Sequence, residues 1–214
     1  MSYFDGSLVD FFIRGSYMMW PLLICSIIGV VFVIERGISL HRVRVDTAVV
    51  FSKIRKALVD KDLQLAFEIC DEHPGPIADT LRAGLLRFGR PAAEIEKAVE
   101  SVAQHELSKL ERGLWVLATI ANVAPLLGFL GTVTGMINAF DALAEVGLGD
   151  PKAVAAGIST ALITTATGLA IALPVQAAFN YYSSRVGAFA LDMETSSTML
   201  LETFSEIQVS EEQA

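Results

Sequence analysis

Read along the chain, apolar and polar positions separate into blocks rather than alternating. Gly15 to Ile34, Gly113 to Phe140 and Ala153 to Ser184 carry no charged residue. As α-helices they would reach about 30, 42 and 48 Å, against a hydrocarbon core of about 30 Å. The first just spans a bilayer. The second and third are longer than one crossing needs, so they are expected to cross and continue past it on one side. Between the first two runs the pattern changes. "DTAVVFSKIRKALV" and "DLQLAFEICDE" place apolar residues three and four apart, the period of amphipathic helices. "HPGP" (His73 to Pro76) and "FGRP" (Phe88 to Pro91) punctuate turns. "PAAEIEKAVESVAQHELSKLERG" has early glutamates and late cations, the charge order a helix prefers, and is expected to run without a breaker into the second span. No strand pattern, internal repeat or low-complexity segment is visible.

The expected fold is therefore an all-α integral membrane protein with three transmembrane helices, two of them extended into a helical cytoplasmic domain. Its segments are an amphipathic surface stretch over 1–14, transmembrane helix 1 over 15–40 and a cytoplasmic helical domain over 41–112. Helix 2 with its transmembrane part follows over 113–143, then an outside loop over 144–152. Helix 3 with its transmembrane part covers 153–184, and a cytoplasmic C-terminal helix and tail 185–214. The segment before the first span is acidic and aromatic and lacks a small-residue cleavage site, so the span is expected to be retained rather than removed as a signal peptide. Of the 16 lysines and arginines, only Arg14 and Lys152 lie outside residues 35–112 and the stretch after the third span. The positive-inside rule then puts the N-terminus outside and the C-terminus inside.

Composition narrows the function. Just over half of the 214 residues are hydrophobic (53%) and the net charge is −8, which argues against a nucleic-acid partner. Cys25 and Cys70 are far apart and in no metal spacing, and His41, His73 and His105 are scattered. No catalytic residue, metal site or cofactor is expected, and no phosphate loop or nucleophile motif points to an enzyme.

The informative feature is a polar, small-residue seam inside the spans. In "ANVAPLLGFLGTVTGMINAF", Gly128, Thr132, Gly135 and Ala139 fall on one helical face, and Gly131 forms a GxxxG pair with Gly135. In the third span Ala161, Thr165, Gly168 and Ala172 make one stripe, with Thr160, Thr164 and Thr167 beside it. Single threonines in a helix commonly bond their own backbone. This concentration instead suggests a strip facing a neighbouring subunit, a partner helix or water. Pro125 and Pro174 each free a backbone carbonyl that neighbours or water must satisfy. No Asp, Glu, Lys, Arg or His lies in the three runs, so a carboxylate for ion movement would come from another chain.

"MWPLLICSIIGVVFVIER", "APLLGFLGTVTGMINAF" and "GISTALITTATGLAIALPVQAAFNYY" resemble the ExbB/TolQ/MotA proton-channel family, its ExbB and TolQ branch above all. The resemblance implies an inner-membrane homopentamer around a central pore that holds two copies of a single-span, ExbD- or TolR-like partner bearing a membrane aspartate. It also implies proton-driven work on the cell envelope, in which a TonB-like or other envelope protein can take part. The family's pore threonines carry over to Thr132 and Thr165, with Thr164 and Thr160 beside them. Gly128, Gly131, Gly135 and Gly168 would serve helix packing, and Glu35–Arg36 matches the family's "ER" as an interface anchor. One departure stands out: Thr160 occupies the position where many ExbB and TolQ chains have a glutamate. The alternative expectation is a non-conducting membrane scaffold whose cytoplasmic helices dock another protein.

Overall fold

The computed structural model describes residues 12, 15, 17–42, 47–146 and 151–212. The described residues form seven long helices and no strand: α1 (Met19–Arg42), α2 (Thr47–Val59), α3 (Leu63–Glu72), α4 (Pro76–Leu85), α5 (Ala92–Glu111), α6 (Leu114–Val146) and α7 (Pro151–Glu212). The surface stretch expected over 1–14 lies outside the described residues except for Phe12, as does 147–150 of the expected outside loop. The start of that loop, residues 144–146, is the end of α6, and its last two residues, 151–152, begin α7.

Three of the helices are long and apolar enough to cross a membrane: α1 over Met19–His41, α6 over Leu114–Ala144 and α7 from Val154. Their outward faces carry Trp20, Ile24, Ile27, Val31, Leu126, Phe129, Ile137, Phe140 and Leu173, all well exposed in the isolated chain. An apolar surface of that extent suits lipid or another subunit, not water.

The chain folds as two units. One comprises Met1–Arg36 and Gly113–Tyr181, the other Gly37–Arg112 and Tyr182–Ala214. In the first, Met19 and Leu22 of α1 pack with Ala124 of α6 and Ala172 of α7. Gly29 brings α1 close to both other helices, since a Cβ there would lie 3.0 Å from Val175 and 3.8 Å from Ile120. In the second unit, the three-and-four spacing read from the sequence becomes a core. Val50, Ile54 and Leu58 of α2 join Ala66, Ile69 and Cys70 of α3, then Ile77, Leu81 and Leu85 of α4 and Ile95 and Val99 of α5. Met193, Leu200, Phe204 and Ile207 of α7 complete it. Each large apolar side chain removed from water there contributes roughly 1.5–3 kcal/mol. The turn from α2 to α3 uses Lys61 at φ 58°, and Asp62 then caps α3 by accepting from the Leu65 N–H at 2.9 Å.

The structure corrects one expectation. α5 does not run unbroken into the second span. It stops at Glu111, Arg112 is extended (ψ 122°), and Gly113 takes φ +90°, a conformation that favours glycine. A Cβ at Gly113 would also lie 3.3 Å from Phe32 and 3.4 Å from Nε of Arg36. The second span thus begins at the break rather than prolonging α5, and the helices that pass from one unit into the other are α1 and α7. Neither Pro125 nor Pro174 breaks its helix.

Candidate functional site

Residues with little or no side chain let two backbones meet. Along α6, Ala124, Gly128, Gly131, Gly135 and Ala139 face Gly168, Thr165, Thr164, Ala161 and Gly157 of α7, in antiparallel order. A Cβ at Gly128 would lie 3.1 Å from Cα of Thr165 and 3.2 Å from the Thr164 carbonyl oxygen. One at Gly168 would lie 2.6 Å from the Ala124 carbonyl oxygen, and one at Gly135 3.1 Å from Cα of Ala161. These are backbone atoms, so the approach has no slack. In lipid, where apolar burial offers no drive, such close packing and the hydrogen bonds it allows hold helices together.

Across this seam Thr165 Oγ1 donates to the Gly128 carbonyl at 2.9 Å. Thr164 is fully buried, wedged against Gly131, and donates back to the Thr160 carbonyl at 2.8 Å. Thr132 donates to the Phe129 carbonyl at 2.6 Å, and Thr167 to that of Ile163 at 2.9 Å. The Glu35–Arg36 pair is an ion pair at 2.5 Å, with Arg36 buried beside Gly113.

These five threonines do not share one face. At about 100° per residue, Ile120 of α6 and Ile171 of α7 mark the flank of the seam on which α1 packs. Thr160 and Thr167 turn toward that flank. Thr132, about 40° from Gly128, and Thr165, about 60° from Gly168, turn to the opposite one. The seam therefore buries Thr164 and sends Thr132 and Thr165 out together on the side away from α1. Each hydroxyl spends its one proton on a backbone carbonyl, so its lone pairs are left to accept from a carboxylic acid, and donating to a carboxylate requires that backbone bond to be released.

A search for charged residues passes over amides, and three of them join this flank. Asn122 of α6 and Asn180 of α7 are exposed and Gln176 is half-buried. Gln176 donates from Nε2 to Oδ1 of Asn180 at 2.9 Å, and Asn122 donates from Nδ2 to the Ala118 carbonyl at 2.8 Å. The signal was legible as Asn and Gln within otherwise uncharged runs. A fourth amide, Asn138, sits toward the other end of α6 and on the α1 flank.

The MotA/TolQ/ExbB proton channel family matches residues 72–195, a stretch that contains the whole seam. A putative biopolymer transport protein, ExbB homolog, of Methanothermobacter thermautotrophicus is 31% identical over 184 residues, 86% of this chain and 65% of that protein. Putative biopolymer transport protein ExbB-like 1 of Synechocystis sp. is 36% identical over 171 residues, covering 78% and 66%. The Tol-Pal system protein TolQ of Pseudomonas aeruginosa is 36% identical over 138 residues, covering 58% and 60%. The chain thus spans less than two thirds of each of these relatives. With three membrane-length helices and a glycine–threonine seam inside the matched stretch, the chain belongs to the MotA/TolQ/ExbB proton channel family.

Proposed function

We propose that the chain is the channel subunit of an inner-membrane motor that uses the proton-motive force to do work on the cell envelope, of the biopolymer-transport or Tol-Pal kind. It works with a single-span, ExbD/TolR-like partner that brings the membrane carboxylate. Five copies surround a pore, two partner helices fill it, and the N-terminus lies outside. The observation that carries this reading is the flank of the seam away from α1, where Thr132 and Thr165 emerge from a backbone contact too tight to yield. The uncharged spans need a carboxylate from elsewhere, and hydroxyls on a rigid wall suit a carboxylate that takes and gives a proton as it passes. Thr165, already donating to the Gly128 carbonyl, keeps its oxygen lone pairs for a protonated acid. Thr164 holds the wall together and Thr160 sits behind it.

The test is proton flux into vesicles holding the chain with its partner. Thr132→Val and Thr165→Val should each abolish flux while the complex still assembles. Full flux in both variants would refute the threonine role.

A further inference from the structure

We infer that Asn122, Gln176 and Asn180 form a second, water-holding stretch of the same path, between the threonines and the end of the spans marked by Arg36 and Gly113; this rests on the channel reading above. Relative to the seam, Gln176 lies about 80° and Asn180 about 120° round α7, on the flank of Thr165, and Asn122 lies about 120° round α6, on the flank of Thr132. The depth follows from contacts. Val175 is level with Gly29 and Ile120, and Arg36 lies seven residues beyond Gly29, about 10 Å along α1. Gln176 and Asn180 therefore lie roughly 9 and 3 Å inside that end, still within the uncharged run.

Amides at that depth are costly against hydrocarbon, because each carries donors and an acceptor that lipid cannot satisfy. Intrachain bonding satisfies only part of them. The Gln176–Asn180 bond uses one N–H of Gln176 and the carbonyl of Asn180, which leaves the Asn180 NH2 and the Gln176 carbonyl for other partners. Asn122 spends an N–H on Ala118 and keeps its carbonyl. Together they offer donors and acceptors in a row along one flank, the arrangement that holds ordered water. An amide neither takes nor gives up a proton in this range, so the protons move along the waters while the amides keep those waters in place.

Accessibility tests this. In the complex with its single-span partner, with Cys25→Ala and Cys70→Ala as background, Gln176→Cys and Asn180→Cys are treated with a membrane-impermeant cationic methanethiosulfonate in inside-out vesicles. Val31→Cys, exposed on α1 at similar depth, is the lipid-facing control. Both amide-site thiols should react at least about 10-fold faster than the control, since only a hydrated thiol ionises and attacks. Rates equal to that of Val31→Cys would overturn the inference. Proton flux is read in parallel. Fast labelling in a complex that moves no protons would sustain the hydrated face and remove the channel reading. Where the unmodified complex conducts, Gln176→Leu with Asn180→Leu should lower flux by about 10-fold at unchanged complex mass, and undiminished flux would overturn the inference.

Discussion

Substituting Gly168→Ala asks whether the seam is as tight as its geometry. The new methyl would lie 2.6 Å from the Ala124 carbonyl oxygen and 3.0 Å from Cα of Gly128. Neither is the end of a flexible side chain, so α6 and α7 must separate by a few tenths of an ångström or more. Overpacking of this kind costs about 1–3 kcal/mol. Separation also stretches the Thr165–Gly128 bond, worth about 0.6 kcal/mol and at most about 1.7 in a membrane. Alanine returns up to about 1 kcal/mol of helix preference. The net is a loss of about 1–3 kcal/mol, or roughly a 5- to 150-fold shift in the unfolding equilibrium. Gly187→Ala is the control in the same helix, because a Cβ there meets nothing within 4 Å. That change should leave stability unaltered or raise it by about 0.5–1 kcal/mol. The assay is denaturant unfolding in mixed micelles, followed by the fluorescence of Trp20 and Trp115, the protein's two tryptophans. If Gly168→Ala unfolds at the same midpoint as Gly187→Ala, the backbones do not meet as described.

Three further outcomes follow from the same structure. Thr165→Val should destabilise the three-span unit by about 0.6–1.7 kcal/mol in the same assay, whereas Thr167→Val, which loses only a bond within its own helix, should cost less. Burial pushes the Cys70 thiol up to about 11, so in a Cys25→Ala background it should alkylate at pH 8 on the order of 100-fold more slowly folded than unfolded; equal rates would contradict its burial. Partial desolvation of its otherwise exposed side chain, then the nearby Glu106 carboxylate, raises the Asp79 carboxyl against the opposing pull of Lys109 and Arg82. Its contribution to stability is therefore full below the ordinary aspartate range and declines as pH rises through its raised value, so Asp79→Asn should gain on the parent at neutral pH and lose that advantage below about pH 4.

Much of this was legible in the chain. The three uncharged runs announced α1, α6 and α7, because hydrocarbon tolerates little else over that length. The three-and-four spacing in residues 46–59 and 62–72 anticipated α2 and α3, which bring Ile54 and Ile69 to the core. The break at Gly113 was not legible, since its cause is distant in sequence: Phe32 and Arg36 leave no room for a side chain there. The small-residue stripes named the residues that meet across the seam, but not how far round each helix they turn. Thr164 and Thr165 are adjacent in sequence. One is sealed inside the contact and the other bonds across it and emerges, a difference set by the antiparallel register with Gly128 and Gly131. Asn122, Gln176 and Asn180 do not stand out in a pattern read by charge, although in lipid an amide with only part of its hydrogen-bonding capacity used is nearly as telling.

The proposed function requires this chain to build a pore around a second protein's helix. Its most direct test is the native mass of the membrane complex purified after co-expression with a single-span protein bearing a membrane aspartate. Five copies of the chain with two of that protein is the mass the account predicts. A monomer or dimer that leaves the single-span protein behind would contradict it.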